Sequence, residues 1–109
     1  MDSVVRRADV RIPLRVTVDI TSLDVRQHAQ AGLTENVSAH GARIVTSKPL
    51  PLNEKLNVRS LLGSHRSRAK VVYCEPLGVN SFAIGLQMLA VSGEWNSPQK
   101  ELSSHYARG

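Results

Sequence analysis

Arginines stand at Arg6, Arg7 and Arg11 in the stretch Arg6-Arg7-Ala8-Asp9-Val10-Arg11, and 25 residues after Arg11 begins the string Asn36-Val37-Ser38-Ala39-His40-Gly41. Arginine stays charged, and its flat fork of donors pairs bidentately with the O6 and N7 edge of guanine, bridges phosphate oxygens or stacks on a base. Lysine offers only the phosphate contact. The spacing of Arg7 and Arg11 lets two forks approach one ligand from a flexible N-terminal segment, with Arg6 a third fork at its edge. Asn36 brings a carbonyl oxygen that accepts from guanine N1 and N2 and an amide that donates, and the Ser38 hydroxyl suits phosphate or ribose. Gly41 provides either a positive φ or a close backbone approach in the turn before a strand starting at Ala42. Together these residues read as a nucleotide clamp.

Other reactive side chains form no comparable set. His28, His40, His65 and His105 are scattered, without HxxxH spacing or a cysteine pair nearby, so no metal site is expected and the four read as surface or turn histidines. His40, inside the NxSxxG string, is positioned to stack on a base or face solvent. Cys74 has no visible partner for nucleophilic chemistry and reads as a structural, strand-end cysteine. Ser38 lacks a GxSxG context and an acid–base relay, so no catalytic residue is assigned. Arg43, Arg66 and Arg68 either extend a positive face or simply solvate strands. Taken singly, the arginines read equally as a solvated basic tail, and Asn36 and Ser38 as ordinary turn residues.

The elements that must position the clamp are short strands. Val16, Val18 and Ile20 alternate with Arg15, Thr17 and Asp19 after Pro13, the period of a half-buried strand. A polar loop follows over Thr21 to Ala31, then strands over Leu33 to Val37 and Ala42 to Thr46. Pro49 and Pro51 break the chain before a strand over Lys55 to Leu62. Gly63-Ser64-His65 forms a hairpin turn into Ser67 to Tyr73, and Glu75 to Asn80 a second turn. Phe82, Ile84, Leu86 and Met88 then share one face of a sixth strand. Six short strands joined by turns predict an all-β, closed antiparallel barrel. In the tail from Ala90, Ser97 as N-cap and Pro98 in the first helical position set up a short C-terminal helix to Ala107, with Trp95 as its anchor.

At 109 residues one domain is expected over 1–109, with 1–13 the clamp segment, 14–88 the barrel and 89–109 an appendage. The net charge of +5 favours anionic partners. A single cysteine rules out an internal disulfide and suits the reducing cytoplasm. No apolar run approaches the roughly 20 residues needed to span a bilayer, and 1–13 lacks a signal-peptide core, so no membrane partner is expected.

The order RRxxxR, strand, NxSxxG, strand resembles the PilZ family, bacterial β-barrel receptors for the second messenger cyclic di-GMP. The resemblance runs from Arg6 to Met88 and rests on six motif positions and the strand pattern. It implies a PilZ-type six-stranded barrel and a non-enzymatic receptor or adaptor. Cyclic di-GMP would be held by Arg6, Arg7, Arg11, Asn36, Ser38 and Gly41, with no cofactor, and a downstream protein partner would read the changed surface. In similar proteins an extra arginine before RxxxR, here Arg6, accompanies a stacked pair of ligands, which implies two molecules per chain. Ala8-Asp9 between the arginines departs from the commonest pattern, and acidic Asp9 sits beside two phosphate-seeking groups.

Two readings from other classes stay open. One is a PilZ-like protein-interaction module without nucleotide binding, in which Arg6 to Arg11 would dock an acidic partner. The other is a small nucleic-acid-binding barrel. Such surfaces stack bases on several aromatics, however, and this chain has only Tyr73, Phe82, Trp95 and Tyr106, two of them expected to pack inward.

Overall fold

The structure, a computed structural model, describes residues 10–24 and 29–95. Seven strands carry most of them: β1 (Ile12–Pro13), β2 (Thr17–Ser22), β3 (Ala29–Val37), β4 (Gly41–Thr46), β5 (Lys55–Ser60), β6 (Arg66–Gly78) and β7 (Ser81–Ser92). The order β3-β2-β5-β6-β7-β4 closes through a β3–β4 pairing, and every pairing is antiparallel. The expected six-stranded barrel is thus present, with β1 as an added short strand. The helix expected over Ser97 to Ala107 lies outside the described residues.

Alternation makes the barrel wall. Val18, Ile20 and Ser22 of β2, and Leu56, Val58 and Ser60 of β5, point inward while their neighbours face solvent. Ile44 of β4, Ala69 and Val71 of β6, and Ile84 and Leu86 of β7 complete the interior. Apolar area removed from water at about 25 cal/mol per Å² is the main favourable term holding such a wall together.

Several elements differ from expectation for identifiable reasons. The Thr21–Ala31 loop is shorter than its polarity suggests, because Thr21 pairs with Ala29 and Ile20 with Gln30. Outward positions there are small or polar, which hides the period. Similarly, Glu75 to Gly78 belong to β6, and the turn shrinks to Val79-Asn80, with Asn80 at φ 53°. Pro76 is accommodated beside a register irregularity between Pro76 and Gly78. β5 stops at Ser60, leaving Leu61 and Leu62 in the connection to β6, whereas β7 runs on to Ser92.

β1 and β2 share one neighbour. β2 pairs with residues 29–33 of β3 and β1 with Asn36 and Val37, so the chain crosses a gap at Leu14 to Val16. Thr34, fully buried, spans that gap: its Oγ1 accepts from Val16 N at 2.8 Å and donates to Leu14 O at 2.5 Å. This hydroxyl satisfies backbone groups that the interrupted ladder cannot. It thereby fixes the path of the segment carrying Arg11.

Candidate functional site

Arg11 enters β1, whose Pro13 lies opposite Asn36, while Asn36 itself faces Arg43 beside a bulge between Thr34 and Asn36. A bulge re-aims side chains, and here the Arg11 guanidinium donates from Nη1 to Asn36 Oδ1 at 2.6 Å. Two residues 25 apart in sequence therefore meet at one end of the barrel. Both retain donors beyond this bond, several on the guanidinium and the amide NH2 of Asn36.

The connection between β3 and β4 completes the group. Ser38 N donates to Gly41 O at 2.9 Å, and Ser38 Oγ accepts from His40 N at 3.3 Å and Gly41 N at 3.2 Å. Ser38 thus performs the turn chemistry that its type allows. Its hydroxyl still lies beside exposed Ala39 and His40. Gly41 needs no positive φ. Its role is close approach: a Cβ there would lie 2.6 Å from the Leu86 carbonyl oxygen and 3.8 Å from Arg11 Nη2. The glycine lets β4 press against β7 and leaves room beneath the guanidinium.

Of the six residues expected to bind ligand, Arg11, Asn36, Ser38 and Gly41 are brought together. Arg6 and Arg7 lie outside the described residues. Arg43 is a correction to the positive-face reading. Its Nε lies 2.7 Å from Glu35 Oε1, and its Nη1 lies 3.0 Å from Tyr73 Oη and 3.5 Å from Glu75 Oε1. The Glu35 and Tyr73 hydrogen bonds push its already high pKa further up. With its guanidinium carbon 5.9 Å from the Tyr73 ring centre, Arg43 is held along the wall. Tyr73 itself lies outside, across Gly85, contrary to the inward packing expected of it. Cys74 is free and half-buried against the core.

His65 is a second correction. The sequence predicts a surface or turn histidine, yet His65 is 1% exposed, with Nε2 2.8 Å from Ser67 Oγ and its ring stacked on Trp95 at 3.5 Å and 12°. Its Nδ1 is buried without a hydrogen-bond partner. The tautomer that donates from Nε2 leaves only a lone pair at Nδ1, cheaper to bury than an N–H. Nothing in the sequence near Gly63-Ser64-His65 signals this, because the covering indole comes from Trp95, thirty positions later. Trp95 packs partly buried against the core, and the helix it was expected to anchor lies outside the described residues. The stack closes one side of a groove of about 410 Å³ lined by Val10, Ile12, Val37, Ser38, Met88 and Val91. A larger depression of about 550 Å³, between Asp19, Gln30, Asn57 and Arg66, contains none of the motif residues.

Burial lowers the His65 pKa from 6.5 to about 4. The unfolded chain therefore binds more protons between these values, so the stability associated with neutral His65 is intact above pH 6.5 and is lost as pH falls toward 4. Urea unfolding should show a loss of up to about 3 kcal/mol across that window. A His65→Leu variant should lose that part of the acid slope.

A small closed antiparallel barrel gathers an arginine, an amide and a glycine turn at one end, an arrangement whose donors suit an anionic ligand. The family model of the PilZ domain matches residues 5–97, and the chain belongs to this family of cyclic di-GMP receptor modules. No curated protein matches the chain.

Proposed function

We propose that the chain is a non-enzymatic receptor for cyclic di-GMP, with Arg11 and Asn36 at the centre of its site. The observation that carries this reading is the 2.6 Å contact between them above the Gly41 turn, where the two halves of the motif meet. Arg11 would lend its remaining donors to a guanine edge or phosphate, and Asn36 would read guanine N1 and N2. Ser38 would serve phosphate or ribose. Arg6 and Arg7 would close on the same ligand, Arg6 favouring a stacked pair and hence two molecules per chain. Recognition alone is implied, since each bidentate contact contributes about 1–3 kcal/mol and no proton relay is needed.

Ligand binding would alter the surface offered to a protein partner. The groove between Ile12, Val37, Met88 and Trp95 adjoins Ser38, and this adjacency supports an output at the same end. It also favours the second reading, an interaction module that uses this end without nucleotide. Amide chemical-shift mapping separates the two. With cyclic di-GMP, the largest shifts should fall at Arg11 and 36–41, with little change at Asp19, Asn57 and Arg66. Unchanged spectra would leave the interaction module. A weak dependence of affinity on salt would further distinguish a dinucleotide from polymeric nucleic acid.

A further inference from the structure

The outer face of the β5–β6 pair breaks a rule of sheet design. Directly opposite residues are Lys55 with Lys70, Asn57 with Arg68, and Arg59 with Arg66. Like charges facing one another across a ladder are destabilising, yet two of the three outward pairs are cation on cation. Among the described residues, only Arg59 of these five cations has an ion-pair partner, Asp19 at 2.8 Å. Such an arrangement is relieved by an external anion.

The ladder ends in an apolar tip. Leu61 is 47% and Leu62 79% exposed, in the turn that joins Arg59 and Ser60 to Arg66. The turn is fixed from below: Ser64 N donates to Glu94 O at 3.1 Å, and Glu94 N donates to Ser64 Oγ at 3.1 Å. A Cβ at Gly63 would fall 2.2 Å from Trp95 O, so the backbone is seated tightly. The leucines are therefore presented by an anchored turn instead of folding back. Glu94 is the acidic side chain beside the tip, set against Arg59, Arg66 and Arg68.

We infer that this edge of the barrel docks on an anionic lipid bilayer, with Leu61 and Leu62 entering the interface and Arg59, Arg66 and Arg68 facing acidic headgroups. Adjacent apolar side chains flanked by arginine and lysine are what an interfacial anchor requires, and polybasic faces are drawn to anionic leaflets. A single-stranded nucleic acid fits less well, because β5 and residues 66–72 present no aromatic platform. Among the described residues no helix is long and apolar enough to cross a membrane. This docking departs from the sequence-based expectation of no membrane partner. The tip shares its end of the barrel with the Ser38–Gly41 turn: Leu61 N donates to Thr17 O at the start of β2, which pairs with the part of β3 leading to that turn, and His65 lines both the groove and the pocket under the tip.

The test is co-sedimentation of the full chain with phosphatidylcholine vesicles, with and without about one-third phosphatidylserine. Pelleting should require the anionic lipid. Arg66→Gln and Arg68→Gln should each weaken it about five-fold, the effect of one cation near a charged leaflet. Leu62→Ser should weaken it without altering charge. Lys48→Gln, in the β4–β5 connection at the other end of the barrel, changes charge equally and should leave binding nearly intact. Thermal melts control for folding, and Arg66→Gln should melt no lower than the parent because it relieves a like-charge pair.

Absence of pelleting, equal losses for Lys48→Gln and Arg66→Gln, or normal pelleting of Leu62→Ser would each overturn the inference. So would tighter binding of an oligothymidylate than of vesicles at this face. Arg11→Ala should retain vesicle binding while losing nucleotide, so this inference and the receptor reading fail separately.

Discussion

Replacing Arg7 and Arg11 together by alanine should weaken cyclic di-GMP binding by roughly 30-fold to 10⁴-fold, that is, by about 2–6 kcal/mol for two bidentate contacts. Starting from micromolar affinity, which corresponds to about 8 kcal/mol, the double variant would fall outside a useful range. Arg11 should dominate the loss. Its guanidinium holds Asn36 Oδ1 at 2.6 Å and would face the proposed ligand, so its removal also frees the amide to rotate away. Arg11→Lys should rescue little, because an ammonium can neutralise phosphate but lacks the planar fork. Arg11→Ala alone should unfold like the parent, since the Arg11 side chain is exposed and outside the core. Fluorescence or calorimetric titration reads the loss directly; normal binding by the double variant would remove the clamp from the account.

Gly41→Ala should produce the largest combined effect on stability and binding. The new methyl would lie 2.6 Å from the Leu86 carbonyl oxygen, a backbone atom within the β4–β7 ladder, where Gly41 pairs with Gln87 and Ala42 with Leu86. Relief requires the strands to part or β4 to slide, and overpacking of this kind costs about 1–3 kcal/mol. The same movement would shift the turn under Arg11. Urea denaturation should therefore show a lowered midpoint, and titration a weaker nucleotide affinity in the fraction that remains folded. A positive-φ role would have predicted a different pattern, with strain confined to the turn. Since Gly41 does not adopt such a φ, alanine is tested here as a steric probe.

How much of this could be read from the chain depends on whether the signal was local. Val16, Val18 and Ile20 announced β2, and Phe82, Ile84, Leu86 and Met88 announced β7, because alternation between a packed and a solvated face is written in adjacent residues. The ends of strands were harder. Ala29 to Ala31 and Glu75 to Gly78 carry no alternation, and only their partners Thr21, Ile20, Phe82 and Ala83 make them strands. For the site, residue type proposed Arg11, Asn36, Ser38 and Gly41, and spacing could not show that the first two touch. That contact depends on the β3 bulge and on Thr34 spanning the gap after β1.

The residues missed are those whose role comes from distant partners. Arg43 looked like a free cation until Glu35, Tyr73 and Glu75 closed around it. His65 looked like a turn residue until Trp95 covered it. Likewise, the cationic ladder is invisible in sequence, because Lys55 and Lys70, or Arg59 and Arg66, become neighbours only through the β5–β6 register. Long-range pairing, rather than residue type, was the missing information in each case.

The central claim is that the end of the barrel formed by Arg11, Asn36, Ser38 and Gly41 receives cyclic di-GMP. Isothermal titration of the full chain with cyclic di-GMP, with cyclic di-AMP as control, tests it most directly. The account predicts micromolar or tighter binding of the guanine dinucleotide, close to two molecules per chain, and little heat with the adenine analogue. No heat with either nucleotide would contradict it.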